Sequence, residues 1–283
     1  VAALEGAEAC VAYASGMAAL RSLFDAQPWK AGDVLVMPTD GYGVTRALYK
    51  NLCARWGVEL KPLDVTSPDA PARIREWRPR LVLAESISNP LLRVPDIRAL
   101  AQACKDAGAV FAVDATFPSP FGQRALELGA DYAVQSTSKW LNGHSDALGG
   151  TVSGSKARID PLRSARILSG DVLGPFEAWL TLRGLRTLPV RMKAHNEHAA
   201  HVAKRLSESP LLERVIYPGL ASHPDHAVAA RVLEGGFGPM VAFEIRGAGQ
   251  KEGDRFLEAL RVTKPGPSQG DVGTLVMHAA SAS

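Results

Sequence analysis

The residues that could do chemistry gather in one stretch, Gln135-Ser136-Thr137-Ser138-Lys139-Trp140-Leu141-Asn142-Gly143-His144. An apolar run, Tyr132 to Val134, leads into it and reads as the end of a buried strand. The tail of a core strand is a poor place for an ammonium group. A free lysine titrates near ~10.4, and burial disfavours its charged form. Lys139 therefore either snorkels to the surface or does amine chemistry. Its neighbours favour the second. Ser136 and Ser138 are two apart, so on an extended chain their hydroxyls share a face. Two hydroxyls beside a reactive amine suit a phosphate monoester next to an aldehyde. That combination is pyridoxal 5'-phosphate (PLP), held on a lysine as a Schiff base.

The elements that must position these groups follow from the apolar pattern. Val11–Ala14, Asp33–Met37, Val58–Leu63, Leu81–Ala84 and Val110–Val113 read as strands, several of them continuously apolar. Leu20, Leu23 and Phe24, Val44–Trp56, Asp69–Trp77 and Val94–Gly108 read as helices, with Pro95 in the first turn of the last. Strand and helix alternate, which predicts an α/β fold on a mostly parallel sheet flanked by helices. Ligands in such sheets bind beyond the carboxyl ends of the strands. Ser15, Tyr42, Asn89, Asp114 and Ser136–Lys139 all fall there. Ser15 caps a helix whose first N–H groups, on Gly16 and Met17, would form an anion site; the alternative is an ordinary capped helix. Tyr42, between two glycines, could stack on a flat ring or sit on a surface loop. Asp114 could be a strand-end cap, yet PLP needs an acid against its pyridine nitrogen.

Beyond Gly154 the pattern changes. Gly174–Ser207 reads as mostly helical, interrupted at Pro189. A loop at Tyr217–Pro224, a helix at Asp225–Leu233, a strand at Met240–Ile245 and a helix at Lys251–Leu260 follow. These predict a smaller C-terminal α+β domain. The division expected is residues 1–180 for the PLP-binding domain and 181–283 for the smaller one. The chain begins at Val1 without Met and stops at Ser283 inside an ordered-looking segment, so both ends are expected to be truncated.

Composition narrows the class. The 283 residues carry 32 Lys+Arg against 29 Asp+Glu, a net charge of +3, which gives no reason to expect nucleic acid or an anionic membrane as a partner. No run approaches the ~20 apolar residues of a membrane span. Cys10, Cys53 and Cys104 are scattered and odd in number, which suits small apolar fillers in a reduced, cytoplasmic compartment. No GxGxxG follows a strand, which argues against a dehydrogenase. His195, His198 and His201 are each three apart, so they drift around a helix and read as solvated or interface residues, with no metal site expected. Arg183, Arg186 and Arg191 read as salt-bridging or interface residues.

Together the motifs resemble the Cys/Met-metabolism PLP-dependent enzymes, which include cystathionine γ-lyase, cystathionine γ-synthase and methionine γ-lyase. The matching residues run nearly the whole length: Ser15-Gly16-Met17, Tyr42-Gly43, Glu85-Ser86 with Asn89-Pro90, Asp114-Ala115-Thr116-Phe117, Leu128–Asp131, Ser136–Lys139, Gly143–Asp146, Gly149-Gly150, Leu182–Leu188 and Tyr217-Pro218-Gly219. The resemblance implies a fold-type I, PLP-dependent transferase-like architecture. It implies that Lys139 is the Schiff-base lysine and proton shuttle, and that the N–H groups of Gly16 and Met17, with Ser136 and Ser138, hold the phosphate. Tyr42 would stack on the ring and assist proton transfer, Asp114 would pair with the ring nitrogen, and Asn89 would bond the ring hydroxyl oxygen. Ser268 matches the position that helps hold the substrate carboxylate.

Ala115 stands where the family has Asn, and Gly273 where it usually has Glu near the mouth of the site. The family's N-terminal arm, which reaches a neighbouring subunit's phosphate, has no counterpart in this sequence, nor has its C-terminal carboxylate-gripping Arg. The activity implied is β/γ-elimination on a sulfur-containing amino acid, most like cystathionine γ-lyase, in transsulfuration and cysteine and methionine metabolism. The alternatives are a cystathionine γ-synthase or O-acylhomoserine sulfhydrylase working by γ-replacement, or a PLP-binding relative without turnover. A homotetramer, a dimer of dimers with shared active sites, is the assembly implied.

Overall fold

The computed structural model describes residues 1–279. Seven strands form the central sheet: β1 (Ala9–Tyr13), β2 (Val34–Pro38), β3 (Glu59–Leu63), β4 (Leu81–Glu85), β5 (Val110–Asp114), β6 (Tyr132–Gln135) and β7 (Gly150–Gly154). Their order is β1-β7-β6-β5-β4-β2-β3. The pairs β3·β2, β2·β4, β4·β5 and β5·β6 are parallel, whereas β7 is antiparallel to both β6 and β1. β1 therefore runs with the parallel strands. Every strand except β7 ends at the same edge, and β7 begins there.

The continuous apolar runs have the physical reason expected of them, since both faces of each strand are covered. Along β4, Leu81 and Leu83 join one core cluster while Val82 and Ala84 join the other. On one side pack α2 (Gly16–Asp25), α3 (Gly43–Trp56) and α7 (Lys156–Ser169); Leu20, Leu23, Phe24, Tyr49, Ile159 and Leu162 fill that layer. On the other pack α4 (Ala70–Trp77) and α5 (Ile97–Ala107), through Ile74, Ile97 and Leu100. Each such side chain contributes roughly 1.5–3 kcal/mol on burial. Two four-residue helices, α1 (Ala2–Glu5) and α6 (Ser119–Gly122), complete this part.

Beyond the sheet run α8 (Pro175–Leu185) and α9 (Leu188–Ser207), then β8 (Leu212–Ile216), α10 (His226–Val232), β9 (Ala242–Ile245) and α11 (Gln250–Ala259). β8 and β9 pair antiparallel, and two-residue strands β10 (Lys264–Pro265) and β11 (Leu275–Val276) pair parallel. No helix among the described residues is long and apolar enough to cross a membrane.

Several local expectations are corrected. α5 starts at Ile97, because the Asp96 carboxylate accepts the Ala99 N–H at 3.2 Å and caps the helix two residues later than a start at Pro95 allows. Pro189 does not interrupt a helix. The break lies at Arg186–Thr187, and Pro189 sits in the first turn of α9, where its missing N–H costs nothing. β7, α7 and β8 are additions to the sequence reading. β7 is Gly-Thr-Val-Ser-Gly, too small and polar to read as a strand, yet all five residues are buried. α7 was hidden by the internal Pro161.

Candidate active site

The shared strand edge collects the singled-out residues into one linked set. At its centre β6 ends at Gln135, and residues 136–143 turn back on themselves. Lys139 N–H donates to Ser136 O at 3.2 Å, Asn142 N–H to Thr137 O at 2.9 Å, and Gly143 N–H to Lys139 O at 2.8 Å. The Lys139 side chain leaves this turn half-buried. Among the described residues its ammonium has one partner, the Ser268 hydroxyl at 3.1 Å. Burial lowers its pKa from the ordinary lysine value, and no carboxylate opposes that. The same loop presses on the lysine turn at Gly270, which has φ +89. A Cβ there would lie 2.5 Å from the Lys139 carbonyl carbon.

One flank of the lysine is a donor cradle. Ser15 Oγ accepts the Ala18 N–H at 3.1 Å, which starts α2 and leaves the N–H groups of Gly16 and Met17 without an acceptor among the described residues. α2 closes so tightly on the lysine turn that a Cβ on Gly16 would stand 2.9 Å from Ser136 Cβ. The Ser136 hydroxyl makes no hydrogen bond with the described residues. Ser138 differs: its hydroxyl accepts the Gly149 N–H at 3.0 Å and bonds Gly149 O at 3.3 Å. The chain from Gly149 into β7 thus braces the lysine turn, and Ser138 keeps only spare acceptor capacity.

The other flank is a pair of carboxylates. Asp114 Oδ1 accepts both the N–H and the hydroxyl of Thr116, at 3.0 and 2.5 Å, while Oδ2 accepts nothing from the described residues. Thr116 Oγ1 also receives the Ser136 N–H at 2.9 Å, so Asp114 is tied to the lysine turn. Burial pushes the Asp114 carboxyl above the usual carboxylate range. Glu85 stands beside it in the β4·β5 register. Burial, then the Asp114 charge, raise Glu85 to about 8. Its two oxygens accept the N–H of Tyr42 at 2.7 Å and of Asn89 at 3.1 Å. Tyr42 is 46% exposed at the start of α3, its ring free of aromatic neighbours among the described residues.

Gly16, Met17, Tyr42, Asn89, Asp114, Ser136, Ser138, Lys139 and Ser268 therefore lie on one connected edge. Sequence reasoning passed over the connectors, Thr116 and Glu85. Thr116, two residues after an Asp, fits an Asx-type turn, and Glu85 ends a fully apolar strand as Asp114 does. Gly273 lies in the loop between β10 and β11.

The donor set fits PLP on the chain's own geometry. Unpaired helix-start N–H groups and a free hydroxyl suit a phosphate. A desolvated carboxylate pair with one oxygen unused suits a protonated ring nitrogen. A half-buried amine lies between them. Comparison with known proteins agrees. The model of the Cys/Met metabolism PLP-dependent enzymes matches residues 1–283. The chain belongs to this family. It is 39% identical over 279 residues to a cystathionine γ-synthase from Mycobacterium tuberculosis, covering 98% of this chain and 71% of that protein. It is 37% identical over 287 residues to an L-methionine γ-lyase from Fusobacterium nucleatum subsp. polymorphum, covering 99% and 71%. A crystal structure of cystathionine γ-synthase from Xanthomonas oryzae pv. oryzae, in complex with aminoacrylate and cysteine, superposes with a TM-score of 0.95 at 40% identity, covering 99% and 72%. The chain is thus a PLP-dependent enzyme of cysteine and methionine metabolism with a fold-type I sheet. Synthases and lyases stand at nearly equal identity, so overall likeness does not choose between them.

Other chemistry-bearing residues have structural surroundings. His198 and His201 are exposed, whereas His195 is half-buried, its ring meeting Trp140 edge-on with centroids 5.0 Å apart. His223 is buried and accepts the Asp225 N–H at 3.1 Å. Cys53 and Cys104 are buried fillers, and Cys10 is partly buried. No group of three or more potential metal ligands occurs among the described residues.

Proposed function

We propose that this enzyme removes the substituent at the γ-carbon of a sulfur-containing amino acid, most like a cystathionine γ-lyase, with Lys139 as its proton carrier. The observation that supports this most is the Lys139 amine itself: half-buried, unpaired with any carboxylate, and aimed at Ser268. When bound, PLP supplies the aldehyde that ties the substrate amine and the ring that takes up the electron pair left at the α-carbon. Lys139 Nζ, favoured in its neutral form by desolvation, accepts the α-proton and returns it further along the substrate. Asp114 Oδ2 would hold the ring nitrogen's proton, with Glu85, pushed up to about 8, mostly neutral beside it at pH 7. Gly16 and Met17 N–H and the Ser136 hydroxyl would bind the phosphate, and Ser138 would join them by turning its hydroxyl away from Gly149 O. Asn89 would bond the ring hydroxyl oxygen, Tyr42 would stack on the ring and assist proton transfer, and Ser268 would help hold the substrate carboxylate.

γ-Replacement, as in a γ-synthase or sulfhydrylase, is the second reading, since proteins of both names are among the chain's relatives. Incubating PLP-loaded protein with cystathionine, methionine and acylated homoserines, with and without cysteine, separates the two by mass spectrometry. A 2-oxo acid and a free thiol support elimination, whereas a new thioether supports replacement. Bound cofactor with no product from any substrate would leave a binding protein without turnover. We also assign residues 1–180 to the cofactor-binding unit and 181–283 to a smaller unit, in a cytoplasmic homotetramer. An exposed aromatic pair on α8, Phe176 and Trp179 with centroids 5.8 Å apart, supports a second copy covering that face.

A further inference from the structure

Arg191 on α9 is more buried than the other arginines singled out by the sequence, Arg183 and Arg186, which are exposed. It is half-buried, and burial lowers its pKa, yet it forms no ion pair with any carboxylate among the described residues. Of the two roles expected for it, salt-bridging or interface, the first is therefore not met among the described residues. All its hydrogen bonds go to uncharged oxygens. Nη1 donates to Trp140 O at 2.8 Å and Nη2 to Gly184 O at 2.8 Å, with Leu141 O at the limit of reach, 3.5 Å. Nε donates to Thr187 Oγ1 at 3.0 Å, which locks the fork in place.

Two of the carbonyls it takes, Trp140 O and Leu141 O, belong to the lysine turn, which does not satisfy them itself, and the third, Gly184 O, belongs to α8. Ser136 O, Thr137 O and Lys139 O accept bonds inside the turn, and Asn142 O meets His144 Nδ1 at 2.8 Å. Trp140 O and Leu141 O are left over, as the last carbonyls of any helical turn are, and a guanidinium is a strong partner for them. Two glycines make room. Gly143, at φ +76, would drive a Cβ into the Arg191 guanidinium, and a Cβ on Gly184 would overlap Asn142 O. Trp140 and Leu141 also pack with Leu188 and Met192 of α9.

We infer that Arg191 is a positioning residue of the cofactor site: it caps the turn that carries Lys139 and so sets where Lys139 Nζ can reach. It couples that reach to the placement of α8 and α9. The inference rests on Lys139 being the cofactor-bearing amine.

The test uses the PLP-loaded protein and the variants Arg191→Ala, Arg191→Lys, Gly143→Ala and Gly143→Ala with Arg191→Lys. The readouts are the visible circular dichroism of the bound cofactor, its dissociation constant, steady-state kinetics and the melting temperature. For Arg191→Ala, reduced dichroism and a kcat loss of up to about 10²-fold at nearly constant KM are expected, the scale of a small misplacement of a reacting group. Arg191→Lys should restore the melting temperature but not the dichroism or kcat, because a point ammonium cannot span Trp140 O and Gly184 O together. Gly143→Ala should weaken cofactor binding about tenfold, and by less when Arg191 is already Lys, since the backbone cost is common to both backgrounds and cancels in the cycle. Wild-type dichroism and kcat in both Arg191 variants, with only the melting temperature lowered, would reduce Arg191 to a stabilising contact. If Arg191→Ala does not fold, additivity of the Gly143 and Arg191→Lys effects overturns the inference equally. Borohydride reduction of the wild type followed by peptide mapping separates this from a failure of the underlying reading, in which a lysine other than 139 carries the cofactor.

Discussion

The two sides of the site are built differently. The cofactor side, from α2 to the lysine turn, is fixed by backbone. The ends of β1, β2, β4, β5 and β6 supply its residues, Gly16 admits contact that a Cβ would block, and Thr116 links Asp114 to Ser136 through short hydrogen bonds. The side proposed to meet the substrate, at residues 264–278, reaches the lysine turn through one side-chain bond among the described residues, Lys139 to Ser268, and through Gly270 against the lysine peptide. Val272 and Met277 there are exposed, and β10 and β11 are two residues each. The closely packed side can specify the cofactor. On the proposed assignment, the thinly held side could vary without disturbing the fold, which would let one scaffold accommodate both lyase and synthase relatives.

That contrast predicts an order of effects. Lys139→Ala should abolish turnover, by more than about 10³-fold in kcat, because the proton carrier is lost. Asp114→Asn should lower kcat by about 10²-fold with the fold intact, since a neutral amide no longer holds the ring-nitrogen proton. The measurement is steady-state kinetics beside a melting curve. Gly16→Ala should raise the PLP dissociation constant about tenfold by pushing α2 off Ser136, read by fluorescence titration. Ser268→Ala should raise KM about fivefold, as the loss of one neutral hydrogen bond does, with kcat nearly unchanged. A Ser268 effect larger than that of Gly16 would erase the difference between the two sides.

The cofactor side also predicts a pH dependence. Glu85 titrates at about 8 in the cofactor-free fold against 4.5 when unperturbed. Between those values the folded chain keeps a proton that the unfolded chain has released, so stability should fall as pH rises from 4.5 to about 8. Glu5, raised to about 7 by burial, adds to that slope. Glu85→Gln should flatten the slope without abolishing it, as chemical denaturation of the apoprotein at several pH values would show. An unchanged slope would place Glu85 in water.

The same contrast governs what the sequence reveals. β4, β5 and β6 are readable because strands buried on both faces must be continuously apolar, and the polar residues at their ends then stand out. Lys139 and Asp114 were legible for that reason. β7 was not, because its fit depends on small residues passing α2 at Gly150, a tertiary constraint with no periodic signature. Glu85, Thr116 and Arg191 gain their roles from partners distant in the chain: Glu85 binds Tyr42 43 residues away, and Arg191 binds Trp140 51 residues away. Ser268 sits in a loop where neither apolar period nor strand end marks it, so only family resemblance pointed to it.

The central claim is that Lys139 is the amine that takes the cofactor. Borohydride reduction of the PLP-loaded protein, digestion and peptide mass mapping test it directly. The reduced label should sit on Lys139 alone, within the peptide that contains Gln135 to Gly143. Label on another lysine, or an unlabelled Lys139 in protein that retains turnover, would contradict it.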